Sequence, residues 1–158
     1  MTDRTVAHAT FSIERKYDAT PARVFRAFED PAAKRRWFAE GEEGWEVESF
    51  DASFEVGSFE RSRFRFKGGP LITNDTVYQD IVPNERIIIS YSMTVDGRRI
   101  SASLATMEFR KEGKGTRLIY TEQGAYLDGL DQVEQRRIGC EEILETLAKE
   151  LERDSAAA

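Results

Sequence analysis

The chain has 158 residues, 40% of them hydrophobic and 33% charged, and its 23 basic and 29 acidic side chains leave a formal net charge of −6. That length suits a single domain over residues 1–158 with a real core at about 9–153 and a frayed tail at 154–158. The acidic balance disfavours nucleic-acid or anionic-membrane binding.

No stretch approaches the roughly 20 apolar residues of a membrane span, so no membrane insertion is expected. The polar start at residues 1–10 has no signal-peptide core, and the lone Cys140 cannot make an internal disulfide. A cytoplasmic protein is expected.

Residues 9–17 alternate Phe11, Ile13 and Tyr17 with Ser12, Glu14 and Lys16, the period of two of a half-buried strand. Thr20 before Pro21 is an N-cap signal, and Val24, Phe25 and Phe28 then share a helical face. Asp30-Pro31 repeats the signal and opens a second short helix through Trp37-Phe38, ended by Gly41 and Gly44.

Six strand segments follow at 45–54, 59–67, 71–82, 86–95, 100–110 and 116–123. They are divided by Val56-Gly57, Gly68-Gly69-Pro70, Pro83-Asn84, Asp96-Gly97 and Gly113-Lys-Gly115. Consecutive hairpins impose antiparallel pairing.

The spacing predicts a last helix over 131–153, with Asp131 as N-cap and Glu134 completing a capping box. Val133, Arg137, Cys140, Leu144, Leu147 and Leu151 recur at alternating steps of four and three, forming one stripe. Arg137 is a charge within it, and Gly139 costs roughly 1 kcal/mol in a helix interior. The fold class is α+β: a curved seven-stranded antiparallel sheet, two short N-terminal helices and a long C-terminal helix. A hollow between sheet and helix is expected.

This order resembles the helix-grip fold of the START/Bet v 1-like (SRPBCC) superfamily. The residues are most similar to its branch named after the activator of Hsp90 ATPase, the AHSA1-like domains. The matching runs are Asp18-Ala-Thr-Pro-Ala-Arg-Val-Phe25, Asp30-Pro31 with Trp37-Phe38, Val82-Pro83-Asn84-Glu-Arg86-Ile87 and Gly115-Thr-Arg-Leu118. Thr121-Glu-Gln-Gly-Ala-Tyr-Leu-Asp-Gly129 looks like the signature of one bacterial subgroup.

The resemblance implies a ligand-sized cavity. It spans lipid binders, polyketide cyclases, stress-linked proteins and a co-chaperone domain, and it allows a homodimer paired through sheet edges. Where many such relatives carry Gly-Trp, this chain has Gly139-Cys140, which leaves more room or a differently shaped pocket.

Alternation predicts inward rows of Phe64 and Phe66; of Ile87, Ile89, Tyr91 and Met93; of Ser103, Ala105, Met107 and Phe109; and of Thr116, Leu118, Tyr120 and Glu122. Such rows are either plain core or the apolar wall of a pocket with a few placed polar groups. The candidate ligand-binding set is Trp37, Phe38, Phe64, Phe66, Tyr91, Met93, Tyr120, Glu122, Arg137 and Cys140. Trp37 and Phe38 would close or plug the mouth. Arg137 and Glu122 would form a helix-to-sheet salt bridge or orient a ligand's polar end.

No catalytic set stands out. His8 is the only histidine, in a start expected to be mobile, and Cys140 reads as a small buried hydrophobe. Glu122, alone or with Asp128, is the weak catalytic candidate, as a general base with a pKa raised by an apolar pocket. Asp75 is a lesser site candidate on a strand whose two faces are both partly apolar.

No cofactor and no metal cluster are indicated. Lys34-Arg35-Arg36 and the alternating Arg61, Arg63 and Arg65 read as solvated faces, the latter beside Glu46, Glu48 and Glu55. The expected function is binding of a small, largely apolar ligand, with a stress-related role among those implied. The alternatives are a co-chaperone-like module that binds a chaperone, and a cyclase, dehydratase or hydrolase acting on an aromatic or polyketide-like substrate.

Overall fold

The computed structural model describes the backbone of residues 3–157 and the side chains of 3–153. After β1 (Val6–Tyr17) come α1 (Pro21–Glu29) and α2 (Pro31–Lys34), which runs on into a π-helical turn (Arg35–Glu40). The strands β2 (Trp45–Ala52), β3 (Phe59–Phe66), β4 (Ile72–Val82), β5 (Arg86–Val95), β6 (Arg98–Glu112) and β7 (Gly115–Leu127) follow, and α3 (Val133–Ala157) ends the order.

All neighbours pair antiparallel in one seven-stranded sheet ordered β1-β7-β6-β5-β4-β3-β2. β1 and β2 therefore lie on opposite edges, and α1, α2 and the π turn must cross the sheet between them. This is the α+β helix-grip architecture expected from the sequence.

Local chemistry explains most boundaries. The Thr20 hydroxyl accepts the Arg23 N–H at 3.2 Å and the Asp30 carboxylate accepts the Ala32 N–H at 3.0 Å, each just before a proline. Asp96 and Gly97 both take positive φ, 48° and 78°, as a tight two-residue hairpin requires.

β7 runs four residues beyond the expected end at Gln123, because Gly124 does not break it. A Cβ there would lie 2.6 Å from the Tyr126 hydroxyl, so the glycine makes room for that ring. Its pairing continues from Val6 opposite Leu127, which places His8 in β1 opposite Ala125. The only histidine thus belongs to a strand and not to a mobile start.

The last helix departs from expectation at both ends. Its first bond runs from the Arg136 N–H to the Gln132 carbonyl at 3.1 Å, one residue later than Asp131 as N-cap would give. The Asp131 carboxylate instead accepts the Gln132 N–H at 2.8 Å and turns toward Arg136. At the other end α3 continues to Ala157 through the segment expected to fray, while Met1, Thr2 and Ala158 lie outside the described residues.

The core fills one end of the space under α1 and the second half of α3. Phe109 meets Phe25 and Phe28 edge-on with centroids at 5.4 and 5.3 Å, and Phe54 bridges Phe25 to Tyr78. Ile13, Leu118, Leu147 and Leu151 close around them. The Tyr17 hydroxyl donates to the Leu144 carbonyl at 2.8 Å, and the Thr146 hydroxyl to the Trp37 carbonyl at 2.6 Å. These bonds tie α3 to β1 and to the π turn.

Lys34, read from sequence as part of a solvated basic run, is buried. Its ammonium lies 2.9 Å from Glu60 of β3, and the Tyr78 hydroxyl donates to the same carboxylate oxygen at 2.6 Å. Burial alone would push the lysine pKa down, but Glu60 and the Tyr78 oxygen raise it above its ordinary range, so it stays charged.

Removing one partner strands a buried charge, whereas removing both does not. Lys34→Met should destabilise the protein by about 3–5 kcal/mol, and adding Glu60→Leu should recover most of that. Urea unfolding of the two single variants and the double variant checks this; equal losses in all three would contradict it.

Candidate functional site

Beyond the phenylalanine core the helix and sheet diverge, and a cavity of about 680 Å³ lies between them. Its walls come from the π turn and the following loop, from the inner faces of β3, β4 and β5, and from the first half of α3. Trp37, Phe38, Phe64, Ile89, Met93 and Met107 supply much of the apolar surface.

Trp37 forms part of the wall: its indole N–H donates to the Ala27 carbonyl at 2.9 Å, and its ring packs edge-on against Phe28. Phe38 is half-buried beneath the Lys34 ammonium, 5.0 Å from its ring centre. Trp45 meets Phe64 edge-on at 5.4 Å and Phe66 at a tilt at 5.1 Å, the latter 43% exposed, so these rings form the rim.

A polar network stands behind the other wall. Glu122 is fully buried, and one of its oxygens accepts from the Tyr91 hydroxyl at 2.7 Å and the Tyr120 hydroxyl at 2.6 Å. Arg136 of α3 donates to the Tyr91 oxygen and to Ser101 Oγ, each at 2.9 Å, and to the Asp131 carboxylate. It lies 3.5 Å from the second Glu122 oxygen, and its guanidinium sits over the Tyr91 and Tyr126 rings at 5.5 and 5.7 Å. Tyr91, Tyr120, Arg136 and Asp131 line the cavity, while Glu122 is sealed behind the tyrosines.

Burial pushes both tyrosine hydroxyls well above the ordinary phenol range, with Glu122 adding to the effect. Burial, followed by the Glu122 charge, pushes the Cys140 thiol up to about 12. A thiol so placed is protonated at neutral pH and a poor nucleophile.

The arginine facing Glu122 is therefore Arg136, and the expected Arg137 is exposed and pairs with Glu141 one turn on at 3.4 Å. A strict four-three alternation assumes a repeat of 3.5 residues, whereas an α-helix turns through 3.6. At about 100° per residue, Arg136 and Arg137 stand about 50° to either side of the axis of Cys140, Leu144, Leu147 and Leu151. Periodicity cannot choose between them. The acceptors do, because Tyr91, Ser101, Asp131 and Glu122 all lie on the Arg136 side.

The structure brings Trp37, Phe38, Phe64, Phe66, Tyr91, Met93, Tyr120 and Cys140 around one cavity, with Glu122 just behind. It leaves out Arg137, and also Asp128, which binds Arg4 and the Thr5 N–H on the far end of the sheet. Asp75 faces outward and holds Arg63 at 2.8 Å.

Lys34, Glu60, Asn74, Asp131 and Arg136 line the cavity and were missed. Glu60 was detectable, since it shares the inward parity of Phe64 and Phe66. Lys34 was hidden by its basic neighbours.

The family model for "Activator of Hsp90 ATPase homolog 1-like protein" matches residues 18–152. The chain belongs to that family. Two crystal structures similar to it are of proteins from rhizobia. Mll3558 of Rhizobium loti is 47% identical, with 92% of this chain and 99% of that one covered and a TM-score of 0.85. A protein of Rhizobium leguminosarum is 43% identical, with 96% and 99% covered and a TM-score of 0.91. CV1439 of Chromobacterium violaceum is 26% identical, with 90% and 96% covered and a TM-score of 0.77. No curated protein matches the chain. Among the described residues of this AHSA1-like chain, no helix is long and apolar enough to cross a membrane.

Two outcomes follow from the network. Arg136→Met leaves Glu122 and Asp131 without their cation and should destabilise by about 3–5 kcal/mol. Arg137→Met should cost less than about 0.5 kcal/mol. Similar losses for the two in chemical unfolding would refute the assignment.

The second outcome concerns pH. An acid whose pKa is raised by folding contributes stability that is complete below its unfolded pKa and lost as pH climbs to the folded value. Cys140 moves from 9.0 to about 12 and Tyr126, chiefly through burial, from 10.0 to about 12. Stability should therefore be level below about pH 9 and decline toward pH 12, and Cys140→Ala should remove the part of the decline that starts near pH 9. Unfolding free energies measured from pH 7 to 11 test this.

Proposed function

We propose that this protein binds a small, largely apolar molecule in the cavity between the sheet and α3. The observation that carries this is the cavity itself: about 680 Å³, walled mainly by aromatic and aliphatic side chains, with a few convergent polar groups. That volume lies within the range of small-molecule sites. The walls are held by packing and buried hydrogen bonds, so the site is formed in advance of its ligand. In this reading Tyr91 and Tyr120 form a polar patch of the wall, their hydroxyls held on Glu122 and, for Tyr91, by Arg136 as well.

The enzymatic alternative has less support. Glu122 is fully buried behind Tyr91 and Tyr120, so a base there reaches a ligand only through a tyrosine hydroxyl. The chaperone-binding alternative invoked the outer arginines. Arg63 and Arg65 already pair with Asp75 and Glu48 at 2.8 Å, which leaves that face less charge to offer.

The neutral fluorophore N-phenyl-1-naphthylamine tests the proposal. The wild-type protein should show saturable, blue-shifted enhancement. Cys140→Trp, which places a ring in the cavity, should weaken binding at least about tenfold with the melting temperature retained. Absence of saturable binding, or undiminished binding by a folded Cys140→Trp variant, would sink it.

A further inference from the structure

The charged groups of the cavity wall restrict what can occupy it, provided the ligand-binding proposal above holds. Both cations in the wall are already engaged by protein groups: Lys34 by Glu60 and Tyr78, and Arg136 by Asp131, Tyr91 and Ser101. The other charged side chains around the cavity, Glu42, Glu43 and Glu142, are acidic. An acid entering this space would give up its hydration and find no uncommitted cation to replace it.

Among the buried polar side chains of the described wall, Asn74 has an unused donor group. Asn74 is the third residue of β4, opposite Ser62 of β3 and Met93 of β5, on the inner face of the sheet. Its side chain lines the cavity and is only 7% exposed. The Thr76 hydroxyl donates to its Oδ1 at 3.1 Å, and in that orientation Nδ2 is the group turned away from Thr76. Among the described residues, no protein acceptor takes a hydrogen bond from Nδ2. Nδ2 is not sealed off from the space beside it, so an acceptor on a ligand can reach it, and a ligand that covers it without an acceptor leaves it unpaired.

We infer that Asn74 is a specificity-determining residue, and that the ligand is uncharged, with a carbonyl-type oxygen (ketone, ester or amide) that accepts from its Nδ2. Asn74 lies between the Lys34–Glu60 and Arg136–Glu122 pairs across the sheet, so the apolar body extends along Phe64, Met93 and Ile89. The hydrogen bond discriminates because a ligand lacking the acceptor leaves Nδ2 unpaired.

Three naphthalene probes test this. Prodan is a neutral naphthyl ketone whose emission moves to the red when its carbonyl accepts a hydrogen bond. N-phenyl-1-naphthylamine lacks the carbonyl, and 1-anilinonaphthalene-8-sulfonate is the same body with a fixed negative charge. Asn74→Asp removes the donor with almost no change of shape, and Asn74→Leu removes it without adding a charge.

Each variant should bind prodan about tenfold more weakly and with bluer emission, while N-phenyl-1-naphthylamine stays within about twofold or binds more tightly. In the wild-type protein the sulfonate should bind at least about tenfold more weakly than its uncharged counterpart. Unchanged prodan affinity and emission in both variants, with N-phenyl-1-naphthylamine still bound, would overturn the role of Asn74 alone. A sulfonate bound as tightly as its counterpart would overturn the exclusion of acids. Failure of all three probes to bind the wild type would instead remove the ligand-binding proposal, and this inference with it.

Discussion

A seven-stranded antiparallel sheet with one apolar face must cover that face, and this chain has one long helix and two short ones to do it. The shortage of cover governs the rest of the structure. Where α1 and the second half of α3 lie together, phenylalanines from both layers meet and the space is filled. Where α3 stands alone, the layers are held apart. The connection from β1 to β2 has to cross between opposite sheet edges, and it places the π turn along one side of the gap.

Gaps in apolar cores tend to close, because unfilled space forfeits contacts. Two buried charge pairs oppose that collapse. Lys34 of α2 reaches Glu60 of β3, and Arg136 of α3 reaches Glu122 of β7 and Asp131. Each carries hydroxyl groups with it, Tyr78 in one case and Tyr91 with Tyr120 in the other. Paired and hydrogen-bonded, these charges add little net stability over an apolar replacement. They do fix distances: Lys34 lies 2.9 Å from Glu60, and Arg136 is linked to Glu122 through the Tyr91 hydroxyl by bonds of 2.9 and 2.7 Å. The helices thus stand off the sheet at two set points.

Much of this was legible beforehand, for identifiable reasons. Alternation of two placed Tyr91, Met93, Met107, Leu118, Tyr120 and Glu122 on the inner face, because one misstep in register would turn every one of them outward. Prolines after Thr20 and Asp30 announced two helix starts through local bonding alone. What failed needed information from across the fold. The choice between Arg136 and Arg137 depended on acceptors carried by other elements. The burial of Lys34 depended on a carboxylate twenty-six residues away, at Glu60. The last strand, expected to stop at Gln123, continues through Gly124 to Leu127, and the reason for that glycine, the Tyr126 ring folded over it, is a side-chain contact.

The difference between Cys140 and a bulky ring at that position bears on how the network and the cavity relate. Cys140 Sγ lies 3.7 Å from the Tyr120 oxygen and 3.9 Å from Glu122, so it contacts the polar wall and the hollow together. A large ring there would fill space that the tyrosine hydroxyls now face. The small, protonated thiol leaves Tyr91 and Tyr120 accessible from the cavity while Glu122 and Arg136 hold them from behind. Volume and polarity at this wall are therefore set by one residue on α3. The hydroxyls on that wall are oriented by protein bonds alone.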